Sequence, residues 1–597
     1  MRGLASGFRK AQLGVLVEAA RTFRPAFRRQ TRPLVVALGF ALLATGAELL
    51  KPWPIALLID HVVLVDEAKT PRWDAAPETV AIVLALAVVL IAALSASFTM
   101  RATIITAEVG RKVTTRVRRQ VFEHLHRLEM PYHVSSRTGD LLIRLMGDVN
   151  LLRDGLVTSW LALAERGALF VGMTVVLLVI DPWLALAALA PMPLLSISLR
   201  RSSRELRTTT RKQRRKEGNA AAFAMENLRQ IRVVKAYARE GDTARRFAEH
   251  TGAGEKAAVK ATRIAARMSW RTEVMSGLGL ALVLYVGALR VQSGRLSPGD
   301  LIVATTYARL LFKPLRRISR EGGRLAKASS GAERLLEVMR EEPEPSGVGL
   351  GVEQLEGAIT FRNVVCRYQG RAEALRGLTF DLAPGTFAVL SGASGSGKST
   401  TLAVLLRLLR LDAGSVSVDG RPFERYELHS YRRCFAYVPQ EIELFSGTIR
   451  DNILYGCPDA TDEEVEEAAR RALLDGVIAS LPEGYDTTLG EDGATLSGGQ
   501  SRRLMIARAA VSRASVLVLD EPLAGLDAES RVLVAAAVRQ SAAGRTTLVV
   551  NHGPTEEFDP DVVLHIDGGQ VVGSEDLRGR SSRSAALPGA EGPSSAL

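Results

Sequence analysis

Between Leu34 and Arg320 the chain carries six apolar stretches, roughly 34–60, 79–99, 155–180, 183–199, 272–292 and 300–318. Each is long enough, or nearly so, for the ~20-residue helix that crosses a bilayer. The two longest polar intervals, about 101–154 and 200–271, contain few helix breakers and read as polar helices. Folded as two antiparallel arms of about 25–30 residues each, either interval would carry its tip roughly 40 Å beyond the membrane. The pattern changes at Glu341-Glu342-Pro343-Glu344-Pro345-Ser346-Gly347, where long apolar runs stop and strand-turn-helix patterning begins. The expected organisation is therefore a basic segment over 1–33, a transmembrane part over 34–340, a linker over 341–351, an α/β part over 352–577 and a disordered tail over 578–597.

Charge orients the spans. Residues 1–33 hold eight Arg/Lys against one Glu and residues 200–218 hold nine against two, so both blocks are expected on the cytoplasmic side. The loop Val62–Glu78, with Asp66, Glu67, Asp74 and Glu78 against Lys69 and Arg72, and the tight Asp181-Pro182 connection are expected outside. Pro25 and the scattered arginines leave no apolar core for a cleavable signal, so the first span is expected to remain as an anchor. The net charge of +13 could also attract nucleic acid, but six spans with consistent charge asymmetry argue against that partner. Cys366, Cys434 and Cys457 are odd in number, lack metal-ligand spacing and all lie in the C-terminal half, which argues against a disulfide framework; they read as ordinary cytosolic thiols. Glu165-Arg166 and Glu48 fall inside spans, where charge marks either a pathway or an interhelical ion pair.

In the second half, Phe387–Ser391 reads as a buried strand followed at once by Gly392-Ala393-Ser394-Gly395-Ser396-Gly397-Lys398-Ser399-Thr400 and then a helix. This is a phosphate-binding loop in its required context. Glycines let successive backbone N–H groups converge on phosphate oxygens at the positive end of a helix. Lys398 is placed to reach the β- and γ-phosphates of a nucleotide, and Ser399 to ligate Mg²⁺. Downstream, Ser515-Val516-Leu517-Val518-Leu519-Asp520-Glu521 predicts a buried strand that delivers two carboxylates to the same edge. Asp520 suits the Mg²⁺ shell, and Glu521 suits a base or orienter for the attacking water.

Leu496-Ser497-Gly498-Gly499-Gln500, ahead of Asp520, resembles the signature of the ATP-binding cassette (ABC) ATPases. The resemblance runs along the cassette from about 357 to 575. It implies that Tyr368 stacks on adenine, that Gln440, in Val438-Pro439-Gln440, touches Mg²⁺ or water, and that His552 contacts the γ-phosphate. Ala524-Gly525-Leu526-Asp527 takes the place of the family's D-loop, and Leu489-Gly490-Glu491-Asp492-Gly493 resembles a segment characteristic of exporter-type cassettes. The first half is similar to the exporter-like type with six spans and one cassette per chain: Thr138-Gly139-Asp140-Leu141, Arg144, Asp148-Val149, Glu226-Asn227-Leu228 and Val234-Lys235-Ala236 fall where that family has comparable motifs. Tyr132–Gly139 and Met225–Ile231 are the expected coupling tips. The implied fold is an all-α six-helix transmembrane domain with long cytosolic helical extensions, followed by an α/β P-loop ABC ATPase domain.

The sequence departs from the family at Arg502, commonly Gln, at Pro522, often Ala, at Ala524, a common D-loop Ser, and at Gly553, usually Arg. None of these removes a group needed for hydrolysis. The resemblance implies a dimer of half-transporters in a cytoplasmic membrane, with ATP and Mg²⁺ sandwiched between Lys398, Ser399 and Asp520 of one chain and Ser497, Gly498, Gly499 and Gln500 of the other. Every catalytic position reads intact, which favours a homodimer, with a heterodimer left open. The expected activity is ATP-driven transport of a small molecule, lipid or peptide, by preference export. Import of, for instance, a metal chelator on the same fold remains the alternative. A cysteine-protease domain ahead of the first span is not read in the sequence, which disfavours cleavage-coupled peptide export.

Overall fold

The apolar stretches fold as helices, and those over Pro77–His126 and Glu240–Gln292 run without a break into the polar segments beside them. The computed structural model describes residues 14–63, 76–368, 373–490 and 496–578. Most of the expected acidic outer loop (Asp66, Glu67, Lys69, Arg72, Asp74), part of the basic N-terminal segment and almost all of the expected tail lie outside the described residues. The chain divides into two compact units, one formed by residues up to Glu123 with Gly139–Arg340 and the other by His124–Thr138 with the residues from Glu341 onward. The segment His124–Thr138, which the hydropathy pattern assigns to the membrane part, therefore packs with the second unit.

In the first unit, α1 (Thr31–Leu50), α2 (Pro77–His126), α3 (Trp160–Ile180), α4 (Pro182–Leu189), α5 (Met192–Arg229) and α6 (Glu240–Gln292) carry the apolar stretches. At 1.5 Å per residue the 50 residues of α2 extend about 75 Å. The antiparallel α5 and α6 pack along each other, with Arg271 donating to the buried Ser202 hydroxyl at 3.0 Å. The turn between α3 and α4 has a local cause: Asp181 is extended, its carboxylate accepts from the N–H groups of Trp183 and Leu184, and Pro182 occupies the first helical position. The same carboxylate pairs with Arg290 of α6 at 3.3 Å.

Among the described residues five helices are long and apolar enough to cross a membrane: Thr31–Val63, Pro77–His126, Thr138–Ile180, Pro182–Arg229 and Glu240–Gln292. The sixth expected stretch, 300–318, is instead divided between α7 (Pro298–Leu310) and α8 (Phe312–Arg340). Arg309, Lys313, Arg316 and Arg317 fall within it, which removes the uninterrupted apolar length of the other five. α7 is nevertheless firmly placed. Ser297 and Asp300 form a reciprocal capping box, the Ser297 hydroxyl donates to Asp60 at 2.7 Å, and Gly299 N–H donates to the other Asp60 oxygen at 2.7 Å. Tyr307 of α7 is fully buried among Met173, Leu177, Leu184 and Val283; its hydroxyl donates to the Leu49 carbonyl and accepts from the Trp53 indole at 3.2 Å. The second expected coupling tip, Met225–Ile231, contains the end of α5 at Arg229 and the turn at Gln230, and a short helix follows over Ile231–Ala236.

The second unit is built on nine principal strands: β1 (Ile359–Arg367), β2 (Glu373–Leu382), β3 (Phe387–Ser391), β4 (Ala413–Val418), β5 (Phe435–Val438), β6 (Val516–Asp520), β7 (Thr546–Asn551), β8 (Val562–Asp567) and β9 (Gln570–Asp576). A six-stranded sheet has the order β9-β8-β3-β7-β6-β5, parallel except for β9. β6 and β7 are buried along their whole length, which explains why they read as continuous Val/Leu runs rather than alternating ones. β2, β1, β4 and the two-residue strand Arg421–Pro422 form an antiparallel sheet over a second core that includes Phe361 stacked on Phe380. The linker is anchored by Glu344, whose carboxylate accepts two bonds from Arg432 at 2.7 and 2.8 Å and whose N–H donates to Arg127.

Candidate functional site

Strand order brings the sequence candidates to one edge. β7 lies between β3 and β6 with Asn551 opposite Ser391 and Val550 opposite Asp520, while Val438 of β5 lies opposite Leu519. The loop after β3, His552 after β7, Asp520-Glu521 at the end of β6 and Gln440 just past β5 therefore emerge side by side, at the carboxyl ends of parallel strands.

The loop Gly392–Gly397 leads into α9 (Lys398–Leu405). Gly397 has φ +104°, and a Cβ there would lie 2.6 Å from the Ala374 carbonyl, so glycine is required for both conformation and space. Lys398 is 4% exposed, and its ammonium donates to the carbonyls of Gly392 at 2.9 Å and Ala393 at 2.8 Å. Its Nζ lies 3.4 Å from Nε2 of His552. Burial pulls the Lys398 ammonium below its ordinary value, against the opposing pull of Glu521 and Asp520.

The Ser399 hydroxyl donates to Asp520 at 3.0 Å. Burial pushes the Asp520 carboxyl up, and the Ser399 hydrogen bond works in the opposite sense. Glu521 is 9% exposed; one carboxylate oxygen accepts from the Gln440 amide at 2.7 Å and the other lies 2.7 Å from Nε2 of His552. The Ser399 hydroxyl at the start of α9 and the Asp520 carboxylate at the end of β6, with the Gln440 amide bonded to the adjacent Glu521, supply oxygen ligands of the kind that suits a magnesium–phosphate complex. Glu521 itself adopts φ +46°, an unusual backbone for a side chain of this kind.

Tyr368, half-buried just past β1, places its hydroxyl 3.4 Å from that of Thr400 in the first turn of α9. Ser394 and Gly395 are exposed at the loop crest. Ser497 begins α10 (Gly498–Val511): its N–H donates to the Gln500 side chain at 2.8 Å, and Gln500 N–H donates back to the Ser497 hydroxyl. Ser497 and Gly498 are exposed and Gly499 packs on Ser530 of α11 (Ala528–Ala542). Among the described residues no hydrogen bond joins Ser497–Gln500 to the group around Lys398. Glu491, Asp492 and Gly493 lie outside the described residues.

Sequence reasoning missed two supports of this edge. Asn452 is fully buried; its side chain accepts from Phe445 N–H and Arg508 and donates to the Phe445 carbonyl, which fixes the segment after Gln440. Arg508 also stands over the rings of Phe445 and Tyr455. The second is Arg502, noted only as a departure. No sequence signal marked it: α10 is buried on nearly every side, its arginines included, and only the fold supplies their internal partners.

A parallel sheet that gathers a phosphate loop, two strand-end carboxylates and a histidine defines a nucleotide hydrolase, here joined to membrane-spanning helices. Residues 34–315 match the family described as ABC transporter transmembrane region, and residues 375–524 match the family described as ABC transporter. An ATP-dependent lipid A-core flippase of Saccharophagus degradans is 31% identical over 78% of this chain and 79% of its own. A protein of that description from Chromobacterium violaceum is 33% identical over 76% and 78%. An uncharacterized ABC transporter ATP-binding protein of Bacillus subtilis, YfiC, is 29% identical over 91% of this chain and 89% of its own. A solved structure of a bacterial Atm1-family ABC exporter with ATP bound is 26% identical, with TM-score 0.78 over 93% of this chain and 100% of that one. The chain belongs to the ABC transporter family. It is a multi-pass membrane protein, an exporter-type half-transporter with an ATP-binding cassette, and acts as an ATP-dependent transport ATPase that requires pairing of two halves.

Proposed function

We propose that two copies of this chain form an exporter in a cytoplasmic membrane, with the N-terminus and cassette on the cytosolic side. The observation that carries this reading is the single cluster of Lys398, Ser399, Asp520, Glu521, Gln440 and His552, with Ser497 and Gly498 exposed elsewhere on the same cassette. In each of the two sites Tyr368 stacks on adenine and the Gly392–Thr400 loop holds the phosphates. Lys398 exchanges its carbonyl partners for phosphate oxygens. Ser497, Gly498, Gly499 and Gln500 of the second copy close over the γ-phosphate with hydroxyl and N–H donors. Mg²⁺, held by Ser399, Asp520 and Gln440, neutralises phosphate charge when bound. Glu521 takes the proton of the attacking water, and His552 steadies the γ-phosphate.

The proposed cargo is an amphiphile. A cavity of about 450 Å³ in the first unit is lined by small and hydroxyl side chains, among them Ala44, Thr103 and Thr106, together with Arg111, Arg153 and Glu165. That volume and mixture suit a molecule with an apolar body and a polar head. Glu165 is bonded to Arg166 at 3.1 Å, so this intramembrane pair is compensated while one member still faces the cavity. The decisive experiment is Mg²⁺-dependent ATPase activity of this chain alone in lipid nanodiscs, with Glu521→Gln as the matched blank. Activity absent from the blank supports the homodimer, and no activity in a folded sample overturns self-sufficiency. Direction is tested by ATP-driven uptake into inside-out vesicles, where export requires accumulation; uptake only in right-side-out vesicles overturns it.

A further inference from the structure

Arg502 lies in α10, the helix that starts with the signature, and its side chain is only 6% accessible to solvent within the cassette. One end of its guanidinium donates to the carbonyl of Glu521 at 3.3 Å and the other to the carbonyl of Ala524 at 3.3 Å. These carbonyls bracket the turn Glu521-Pro522-Leu523-Ala524, which is itself closed by Ala524 N–H donating to the Glu521 carbonyl at 3.1 Å. The N–H of Glu521 donates to Val550 of β7 at 2.9 Å. The backbone of Glu521 is thus held from the sheet on one side and from α10 on the other, in the left-handed conformation at φ +46°. That conformation persists in a non-glycine residue only where the surroundings over-determine it.

We infer that Arg502 is a positioning residue for hydrolysis, clamping the Glu521–Ala524 turn to the signature helix so that the two move as one piece. The inference rests on the proposed role of Glu521. Three of the four departures from the family pattern, Arg502, Pro522 and Ala524, meet at this clamp. Proline at 522 has no N–H to give the turn, and alanine at 524 has no hydroxyl to brace it, so a two-pronged donor from α10 supplies bonds that the turn's own side chains do not. A planar guanidinium spans two carbonyls three residues apart, which a single ammonium does less well. Arg502 does not reach Lys398, Ser399 or Asp520 through any described hydrogen bond, so its effect is on the orientation of the Glu521 carboxylate rather than on nucleotide capture. Because the signature of one copy faces the nucleotide of the other, the clamp also connects the partner's site to this copy's Glu521.

The test compares full-length wild type, Arg502→Met, Arg502→Lys and Glu521→Gln in nanodiscs for kcat, KM for ATP and thermal midpoint. Arg502→Met is expected to lower kcat by about tenfold or more with KM within about twofold, since small misplacements of a reacting group are costly. Arg502→Lys, which keeps charge and donors, is expected to recover part of kcat at the same KM. Wild-type kcat in Arg502→Met, or kcat, affinity and thermal midpoint falling together in both variants, overturns the assignment. Should Arg502→Met fail to fold, Arg502→Lys must still lower kcat at unchanged KM, and wild-type turnover in it overturns the clamp. Full turnover in Glu521→Gln instead sinks the underlying role of Glu521, a separate result.

Discussion

The Gln440 amide donates to the Glu521 carboxylate at 2.7 Å, which joins the segment after β5 to the end of β6 across the edge of the sheet. A carboxylate that must orient water works only in the right direction, and Gln440 and His552 between them hold both of its oxygens. Loss of the base in Glu521→Gln is expected to lower turnover by ~10²–10⁴-fold with nucleotide affinity retained. Gln440→Ala removes one orienting bond and should lower turnover less, by ~10-fold. Phosphate release and nucleotide binding, measured on both variants, check the order; a Gln440→Ala protein as fast as wild type would remove the amide from the reaction.

Gly397 sets the entry to α9. Gly397→Ala would have to accept φ +104° and a Cβ 2.6 Å from the Ala374 carbonyl, so the loop must shift. The expected cost is ~1–3 kcal/mol of local strain, released by moving the backbone N–H groups away from the phosphate position. ATP affinity should fall while the thermal midpoint of the membrane unit holds. Unchanged affinity in a binding titration would show that the loop tolerates the shift.

The phosphate loop and the strand-end carboxylates were legible because their chemistry is local: a strand, glycines, Lys398 and Ser399 are contiguous, and Asp520-Glu521 closes its own apolar run. The strand order that makes Gln440, Glu521 and His552 neighbours is not local, and it came only from resemblance. Asn452 and Arg508 were not read because their partners are backbone carbonyls and rings brought together by packing, which leave no spacing signature. In the membrane part, five apolar helices were visible from hydropathy alone. The sixth stretch is split at Leu311 between α7 and α8, and the bonds that fix the start of α7 come from Asp60, 237 residues from Ser297 in sequence, which hydropathy does not show.

Acid should loosen the linker through Glu427. Its carboxylate accepts from the N–H groups of Ser430 at 2.7 Å and Gly347 at 3.1 Å, and these backbone bonds, Ser430 first, hold it down to about 2 from an ordinary 4.5. A depressed carboxyl favours the folded state while ionised, so its contribution is complete above the ordinary value and is lost as pH falls towards about 2. Glu427→Gln should therefore lower the thermal midpoint of the cassette at pH 7, and the difference from wild type should shrink on acidification below the ordinary value of 4.5. A difference independent of pH would mean that the charge of Glu427 contributes nothing to holding Gly347.

Asp148 is 1% exposed and is held by Arg334 of α8, with Arg334 Nε donating at 2.8 Å and a second, shorter bond from its terminal nitrogen. Arg144 braces the same helix, donating to the Arg334 carbonyl at 3.2 Å and pairing with Glu337 at 3.5 Å. Arg334→Met would leave the buried Asp148 carboxylate without its cation. The expected loss is ~1–3 kcal/mol, below that of a fully enclosed pair because the Arg334 side chain is partly solvated. Arg334→Met with Asp148→Leu removes both charges and should recover stability relative to Arg334→Met alone. Thermal unfolding in detergent of wild type, both single variants and the double variant closes the cycle. A double variant no more stable than Arg334→Met would show that the pair contributes packing rather than charge compensation.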